Sequence, residues 1–128
     1  MNIFKSSFLI IGEGITFEYC SNFFKDNDII YYSTTTDDII DINNSEIICK
    51  NKKIDLDKVD YTVISPGIPP TNPYLQKLAL SGCKFTTDVE IIQNLSQSKF
   101  ICITGTNGKT STVNLIADIL NDNNISAI

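Results

Sequence analysis

Apolar residues along this chain occur in short runs that alternate with segments of helical periodicity. A short apolar run between polar turns is typical of a strand that is buried on both faces, as in parallel sheets. We predict such strands at residues 7–11, 29–33, 61–64 and 100–104, with shorter candidates at 47–49 and 84–86.

The segments between these runs repeat apolar residues every three or four positions, which predicts amphipathic helices at residues 16–25, 73–81, 88–95 and 109–120. Thr16, Asn72 and Thr87 are suitable capping residues at three helix starts, and Glu90 would complete a capping box with Thr87. The expected core-facing residues are Cys20, Phe23 and Phe24 in the first helix, Leu75, Leu78 and Ala79 in the second, and Val113, Ile116, Ala117 and Leu120 in the last.

Strands that alternate with helices in this way predict an α/β fold built on a parallel sheet. Ligands of such sheets bind beyond the carboxyl ends of the strands. Loops that contain glycine follow directly after the predicted strands 7–11, 61–64 and 100–104, and these loops are therefore the candidate sites.

Composition and charge narrow the classes of function. The 128 residues are 42% hydrophobic and 20% charged, which is globular composition. The net charge of −5 argues against non-specific nucleic-acid binding, which needs a basic surface. The apolar runs are too short to span a bilayer, and the amino terminus lacks the apolar stretch of a signal peptide. Because the chain has no histidine, histidine-based triads are excluded.

The cysteines are widely spaced and form no C-x-x-C pair, so they predict neither a zinc site nor a redox motif. We expect Cys20, Cys49, Cys83 and Cys102 to be buried free thiols of a cytoplasmic protein.

The strongest chemical signal is the segment from Gly105 to Thr110, between a predicted strand and a predicted helix. Two glycines let the backbone approach a phosphate, and successive N–H groups would point at it from the start of the helix. Lys109 could reach terminal phosphates, and the Thr110 hydroxyl could bind Mg²⁺. The glycines are closer together than in the common P-loop. A glycine turn with a solvated lysine is the alternative.

Two further loops carry weaker signals. Gly12 and Gly14 match the start of a dinucleotide fingerprint, but Phe17 occupies its third glycine position and disfavours an NAD site. The loop at residues 65–70 is made rigid by its prolines and could form a ligand wall. From the residues alone, either loop could serve only the fold.

Taken in order, these segments resemble motifs of the Mur ligases of bacterial cell-wall synthesis. The resemblance rests on Ile10-Ile11-Gly12-Glu13-Gly14-Ile15-Thr16, on Ser65-Pro66-Gly67-Ile68 with Asp88-x-Glu90, and on the phosphate loop from Ile103 to Ser111. The short glycine spacing is the usual form in this family. The middle pair of motifs favours the branch that adds D-glutamate.

The resemblance implies a Rossmann-like domain at residues 1–97 that binds UDP-N-acetylmuramoyl-L-alanine, and the beginning of a central ATPase domain at residues 98–128. The implied UDP-sugar site consists of Gly14, Ile15, Thr16, Thr36, Ser65, Pro66 and Gly67. The implied ATP site consists of Gly105, Thr106, Asn107, Gly108, Lys109, Thr110 and Ser111. Lys109 is the implied catalytic cation and Thr110 the implied Mg²⁺ ligand. Phe17, Thr35 and Asp37 depart from the family pattern, which has a glycine, an acidic residue and a basic residue there.

The family reaction implies that ATP phosphorylates the substrate carboxylate, which the amino group of D-glutamate then attacks. The resemblance covers only the first domain of the family and the start of its second. We therefore expect the chain to be inactive as a ligase by itself and to need a complementing C-terminal fragment. The alternative is a stand-alone module that binds a nucleotide or UDP-sugar. A different P-loop enzyme, such as a small kinase, is disfavoured because kinases usually carry this loop near their start.

Overall fold

The computed structural model describes residues 1–127, which divide into two compact units at residues 1–97 and 98–127. The strands of the first unit are β1 (Phe8–Ile11), β2 (Tyr31–Thr34), β3 (Ile39–Ile42), β4 (Glu46–Cys49), β5 (Lys53–Asp55), β6 (Tyr61–Ile64) and β7 (Phe85–Thr86). Its helices are α1 (Ile15–Asp26), α2 (Pro73–Leu80) and α3 (Asp88–Leu95). The second unit contains helix α4 (Lys109–Asp122).

The centre of the first unit is a parallel sheet with strand order β2-β1-β6-β7. Phe8 of β1 is in register with Tyr31 of β2 on one side and with Tyr61 of β6 on the other. Every residue of β1 is buried, as expected for a strand with covered faces. The prediction of an α/β fold with a parallel sheet is confirmed.

Two hydrophobic cores lie on the two faces of this sheet. Phe8 and Ile10 of β1 belong to the core that α1 and α3 cover, where the Phe8 and Phe24 rings stack with centroids 4.5 Å apart. Leu9 and Ile11 belong to the opposite core, which α2 covers through Leu75 and Leu78. This division follows from the pleat, because alternate side chains of a strand point to opposite faces.

A second sheet, antiparallel and ordered β3-β4-β5, completes the core that contains Leu9. The sequence predicted only the β4 segment of it. Each of these strands is three or four residues long and buries only some of its side chains, including Ile39, Ile47 and Ile54. Such short half-buried strands give almost no periodic signal.

Two of the three predicted N-cap residues, Asn72 and Thr87, are confirmed. The Asn72 side chain accepts a hydrogen bond from the Tyr74 N–H, with Pro73 at the first helical position of α2. The Thr87 hydroxyl accepts from the Glu90 N–H at 3.1 Å, which is half of the predicted capping box. The Glu90 carboxylate accepts from the Thr86 hydroxyl instead of the Thr87 N–H.

The prediction that Thr16 caps α1 was wrong. The helix begins one residue earlier, at Ile15, and Gly14 is its N-cap with φ 81°. Thr16 is buried in the first turn. Cys20 and Phe24 lie in the core as predicted, whereas Phe23 is half-buried and Ala79 of α2 is exposed.

The predictions for the second unit were only partly right. Helix α4 begins at Lys109 as expected, but the segment 100–104 forms no strand within the described residues, because it finds no neighbouring strand to complete its hydrogen bonds. Nor does a strand begin at Ile125, whose N–H bonds back to Leu120. No residue of α4 is buried: Val113 is exposed, and Ile116, Ala117 and Leu120 are half-buried.

The cysteines differ in exposure. Cys20 and Cys49 are buried as predicted, Cys83 is half-buried, and Cys102 is exposed, against the prediction. Cys102 lies in the segment that forms no strand, so nothing covers it. Among residues 1–127, no helix is long and apolar enough to cross a membrane.

Candidate functional site

An open cleft of about 470 Å³ lies in the first unit at the carboxyl ends of β1, β2 and β6. Three loops form its walls, one after each of these strands. The cleft is lined by Gly12, Glu13, Ile15, Thr16, Thr35, Thr36, Asp37, Ser65, Pro66, Gly67 and Ile68. Clefts that hold small ligands have volumes of roughly 300–1,000 Å³. Both the size and the position are therefore those of a ligand site in a parallel α/β sheet.

The floor of the cleft is a close contact between the loops after β1 and β6. Gly12 has φ 119°, and a Cβ atom placed there would lie 2.6 Å from the Cβ of Ser65. The Ser65 N–H donates to the Ile11 carbonyl, and the Ser65 hydroxyl donates to the Glu13 carbonyl at 3.2 Å. Only glycine at position 12 permits this approach.

The loop after β6 is a turn closed on itself. The Ile68 N–H donates to the Ser65 carbonyl at 3.0 Å, and Pro66 lies inside the turn. Proline restricts φ at that position, so the wall that Pro66 and Gly67 form is set before a ligand arrives.

The start of α1 supplies a second wall. The first-turn N–H groups of a helix have no partner within the helix and carry the positive end of its dipole. Gly14 and Ile15 are exposed, and Thr16 is directed inward, where its hydroxyl donates to the Asp88 carboxylate of α3 at 3.4 Å. Through this contact the start of α3 supports the start of α1.

The third wall is the loop after β2. Thr34 is buried, and its hydroxyl lies 3.2 Å from the Cys49 sulfur of β4. The Gly12 N–H donates to the Thr34 carbonyl at 2.9 Å. Thr35, Thr36 and Asp37 follow and line the cleft.

The fold brings together six of the residues that the sequence resemblance implies for a UDP-sugar site: Ile15, Thr16, Thr36, Ser65, Pro66 and Gly67. Gly14 is not part of the lining and serves as the N-cap of α1. Five lining residues lie outside the implied set: Gly12, Glu13, Thr35, Asp37 and Ile68. All five are close neighbours of implied residues in the sequence, so proximity along the chain is the signal that could have added them.

Burial changes the pKa of one thiol in α1, the helix whose start forms a wall of the cleft. Cys20 is a buried residue of α1, and desolvation, with a smaller contribution from the Asp88 charge, raises the pKa of its thiol to about 11. The thiol is therefore neutral at physiological pH and is poorly suited to act as a nucleophile.

The phosphate-loop segment lies in the second unit. Gly105 has φ 151° and Gly108 has φ 77°, and Gly108 is the N-cap of α4. The Lys109 ammonium donates to the carbonyls of Gly105 and Thr106, so it closes the loop on itself. Thr110 and Ser111 are exposed in the first turn. The glycine conformations, the helix start and the lysine together fit an anion-binding loop.

No group of three or more acidic, cysteine or histidine side chains that could hold a metal ion is present within residues 1–127. The Thr110 hydroxyl is by itself a weak ligand, so a Mg²⁺ ion there would depend on the oxygens of a bound nucleotide.

Curated relatives were found for this chain, although no family model matches it. It is 38% identical over 85 residues to the UDP-N-acetylmuramoylalanine–D-glutamate ligase of Streptococcus uberis. The matched segment covers 65% of this chain and 19% of that protein. It is 40% identical over 84 residues to the ligase of the same name from Clostridioides difficile, again 65% of this chain and 19% of that protein. The match to the Lactobacillus johnsonii ligase is 43% over 72 residues, 56% of this chain and 15% of that protein.

The parallel sheet with helices on both faces is a Rossmann-like α/β architecture, and the cleft lies at its carboxyl edge. With the relatives above, the resemblance to the Mur ligase family is confirmed, and within that family the chain is similar to the D-glutamate ligases. The matched segment spans about a fifth of the length of those relatives.

Proposed function

We propose that this chain is the substrate-holding part of an ATP-dependent amide-forming ligase that adds D-glutamate to UDP-N-acetylmuramoyl-L-alanine in peptidoglycan synthesis. The observation that carries the proposal is the convergence of the Gly12–Thr16, Thr36 and Ser65–Gly67 segments on one cleft. These segments are far apart in the sequence, and the family motifs that they resemble are the ones implied in UDP-sugar binding.

The cleft suits a nucleotide-sugar in shape and in part of its chemistry. Backbone N–H groups at the start of α1 can approach a ligand because Gly14 precedes them. Thr35 and Thr36 offer hydroxyl groups, and Pro66, Ile68 and Ile15 offer apolar contacts. Clefts of this kind combine apolar walls with a few polar groups that fix orientation.

In the same proposal, residues 105–111 hold the phosphates of ATP. Lys109 would exchange the loop carbonyls for phosphate oxygens, and Thr110 would be a ligand of Mg²⁺. When bound, ATP supplies the phosphoryl group that activates the substrate carboxylate. The part of this chain in that step is to position and neutralise the phosphates.

The binding function can be measured by calorimetric titration of the whole chain with UDP-N-acetylmuramoyl-L-alanine. We expect saturable binding that weakens about tenfold in Thr36→Val, since a buried polar contact to a ligand is worth about 1–1.5 kcal/mol. Thr71→Val is the matched control, because Thr71 is exposed and does not line the cleft. If the unsubstituted chain does not bind, or if both variants weaken binding equally, this cleft is not the UDP-sugar site.

We further propose that amide formation requires parts of the matched ligases outside the segment that this chain matches, which spans 19% of their length. An assay of phosphate release with UDP-N-acetylmuramoyl-L-alanine, D-glutamate and Mg-ATP should show no activity for the chain alone. Addition of the C-terminal remainder of a relative should restore activity. Turnover by the chain alone would contradict this proposal.

The second candidate function is a stand-alone UDP-sugar or nucleotide-binding module. It is favoured by one observation: residues 1–97 form a compact unit with their own cores on both sheet faces. UDP-sugar binding without any restored turnover in the complementation assay would favour this module over the ligase part.

A further inference from the structure

The side chains that line the cleft carry no positive charge. The cations of this chain are ten lysines, since the sequence has neither arginine nor histidine. None of these lysines lines the cleft, whereas Glu13 and Asp37 both do. Arginine and lysine are the usual partners of phosphate groups, and arginine is the one that binds them in a bidentate manner. The charge of the cleft is therefore the opposite of that expected for a diphosphate site.

The cleft hydroxyls are also arranged as acceptors. A hydroxyl group has one proton to donate, and two cleft residues direct it away from the ligand space. Ser65 donates to the Glu13 carbonyl at 3.2 Å, and Thr16 donates to the Asp88 carboxylate at 3.4 Å. The lone pairs of both hydroxyls remain, and these can accept hydrogen bonds from a ligand but cannot donate to a phosphate oxygen.

The N-terminus of α1 offsets this arrangement only in part. The helix dipole favours an anion at this end. However, the Glu18 carboxylate already lies in the first turn of α1, and Glu13 lies two residues before the first helical residue, Ile15. The Lys52 ammonium, which does not line the cleft, donates a hydrogen bond to the Ser33 carbonyl of β2. The donors left for a phosphate are thus backbone N–H groups and the hydroxyls of Thr35 and Thr36.

We infer that this cleft recognises the hydrogen-bond donors of the nucleoside and sugar, and that Glu13 and Asp37 oppose the diphosphate that joins them. The inference rests on the proposed function, because it concerns how the same cleft treats the two parts of a UDP-sugar. Its consequence is an inverted salt dependence: salt screens the repulsion between exposed charges, so the affinity for a diphosphate ligand rises with ionic strength.

The test is calorimetric titration of the full chain with uridine, with UDP, and with UDP-N-acetylmuramoyl-L-alanine, at about 20 mM and about 200 mM salt. We expect uridine to bind at least as tightly as UDP at the lower salt concentration. Binding of UDP should strengthen at the higher concentration and on addition of Mg²⁺, which neutralises the diphosphate. Binding of uridine should respond to neither.

Charge variants identify the residues responsible. Asp37→Asn should raise the affinity for UDP relative to that for uridine by about threefold and Asp37→Lys by about tenfold, since the repulsion between nearby exposed charges is weak and is reversed by the lysine. Glu13→Gln is an independent second variant for the same effect. Asp38→Asn is the matched control, because Asp38 is the exposed neighbour of Asp37 and does not line the cleft. Circular dichroism checks that each variant is folded.

The results of these titrations distinguish the inference about charge from the proposed UDP-sugar-binding function. UDP that binds more than tenfold tighter than uridine at low salt, or a UDP-to-uridine affinity ratio that Asp37→Lys does not change, would overturn the inference and leave the binding function standing. If no ligand binds at any salt concentration, both the inference and the proposed function are wrong.

Discussion

The Gly12 backbone lies so close to the Ser65 side chain that a Cβ atom on residue 12 would be 2.6 Å from the Cβ of Ser65. Gly12 directly follows β1 and Ser65 directly follows β6, and these two strands are parallel neighbours in the sheet. The contact joins the two loops that form the floor of the cleft, so one glycine sets both the spacing of the loops and the shape of the site.

Gly12→Ala is therefore expected to destabilise the fold and impair the cleft together. Its φ of 119° is a conformation that residues with a side chain rarely adopt, and the added methyl would clash with Ser65. Strain of this kind costs about 1–3 kcal/mol before the clash is counted. We expect a loss of about 3 kcal/mol or more in the free energy of unfolding, measured by urea denaturation.

Two other glycines of these loops are controls for that measurement. Gly67→Ala should change stability by less than about 0.5 kcal/mol, because nothing lies within 4 Å of an added Cβ atom there and φ is not positive. Gly14→Ala has the same free space but a φ of 81° and a ψ of −155°, so it should show the conformational cost of about 1–3 kcal/mol without the clash. Equal losses in all three variants would mean that the contact with Ser65 does not matter.

Thr62 of β6 is a position where we expect a substitution to raise the free energy of unfolding. It is fully buried, and its hydroxyl has no hydrogen-bond partner in the part of the chain that the structure describes. Burial of an unpartnered hydroxyl costs about 1–3 kcal/mol. Thr62→Val keeps the shape and removes the hydroxyl, so it should raise the free energy of unfolding by about 1 kcal/mol.

Thr34→Val is the comparison for Thr62, because the Thr34 hydroxyl contacts the Cys49 sulfur at 3.2 Å in a similarly buried strand position. We expect this variant to be neutral or destabilising in the same urea titration. A destabilised Thr62→Val would show that the Thr62 hydroxyl is satisfied in solution, for example by a buried water.

The central sheet could be predicted from the sequence because its strands are continuous apolar runs, such as Phe8–Ile11, and such runs have few other stable placements. The sheet β3-β4-β5 could not, since its strands are short and their buried residues depend on which neighbours they find. The same dependence explains Val113 and Cys102, which were expected to be buried and are exposed. Helical or strand-like patterning indicates which face is apolar, but not whether another element covers it.

Loop motifs gave Thr16 and the Ser65–Gly67 segment of the candidate site, and Thr36 came only from the family resemblance. Two features required the structure. The contribution of Glu13 and Ile68 to the lining depends on how the loops approach one another. The direction of the Thr16 and Ser65 hydroxyl protons depends on partners that are 72 and 52 residues away in the sequence.

Stability should depend on pH through Cys20. Its thiol pKa is raised from 9.0 to about 11 by burial and by Asp88, so the folded state holds this proton more tightly than the unfolded state. The resulting stability is fully present below pH 9.0 and is lost as pH rises toward 11. We expect the thermal midpoint to fall across this range, and to fall less steeply in Cys20→Ser.

Asp88→Asn tests the electrostatic part of the same effect. A nearby negative charge disfavours the thiolate, so removal of the Asp88 carboxylate charge should lower the pKa of the Cys20 thiol. The pH range over which stability is lost should then be narrower. The thiol pKa can be followed by the pH dependence of its alkylation. An unchanged Cys20 pKa in Asp88→Asn would show that burial alone causes the shift.

The phosphate loop should bind Mg-ATP weakly and through Lys109. In the structure the Lys109 ammonium is bonded to the Gly105 and Thr106 carbonyls, so binding must break these contacts before phosphate contacts form. No acidic cluster within residues 1–127 adds metal ligands. We therefore expect a dissociation constant of about 1 mM, which corresponds to about −4 kcal/mol, by calorimetry of the whole chain.

Lys109→Met should abolish the signal, because a charge-assisted contact is worth about 1.5–3 kcal/mol. Lys99→Met is the matched control, since Lys99 is exposed and lies outside the loop. Equal loss in both variants would mean that ATP is attracted by general charge, and tight binding in Lys109→Met would mean that the nucleotide binds elsewhere.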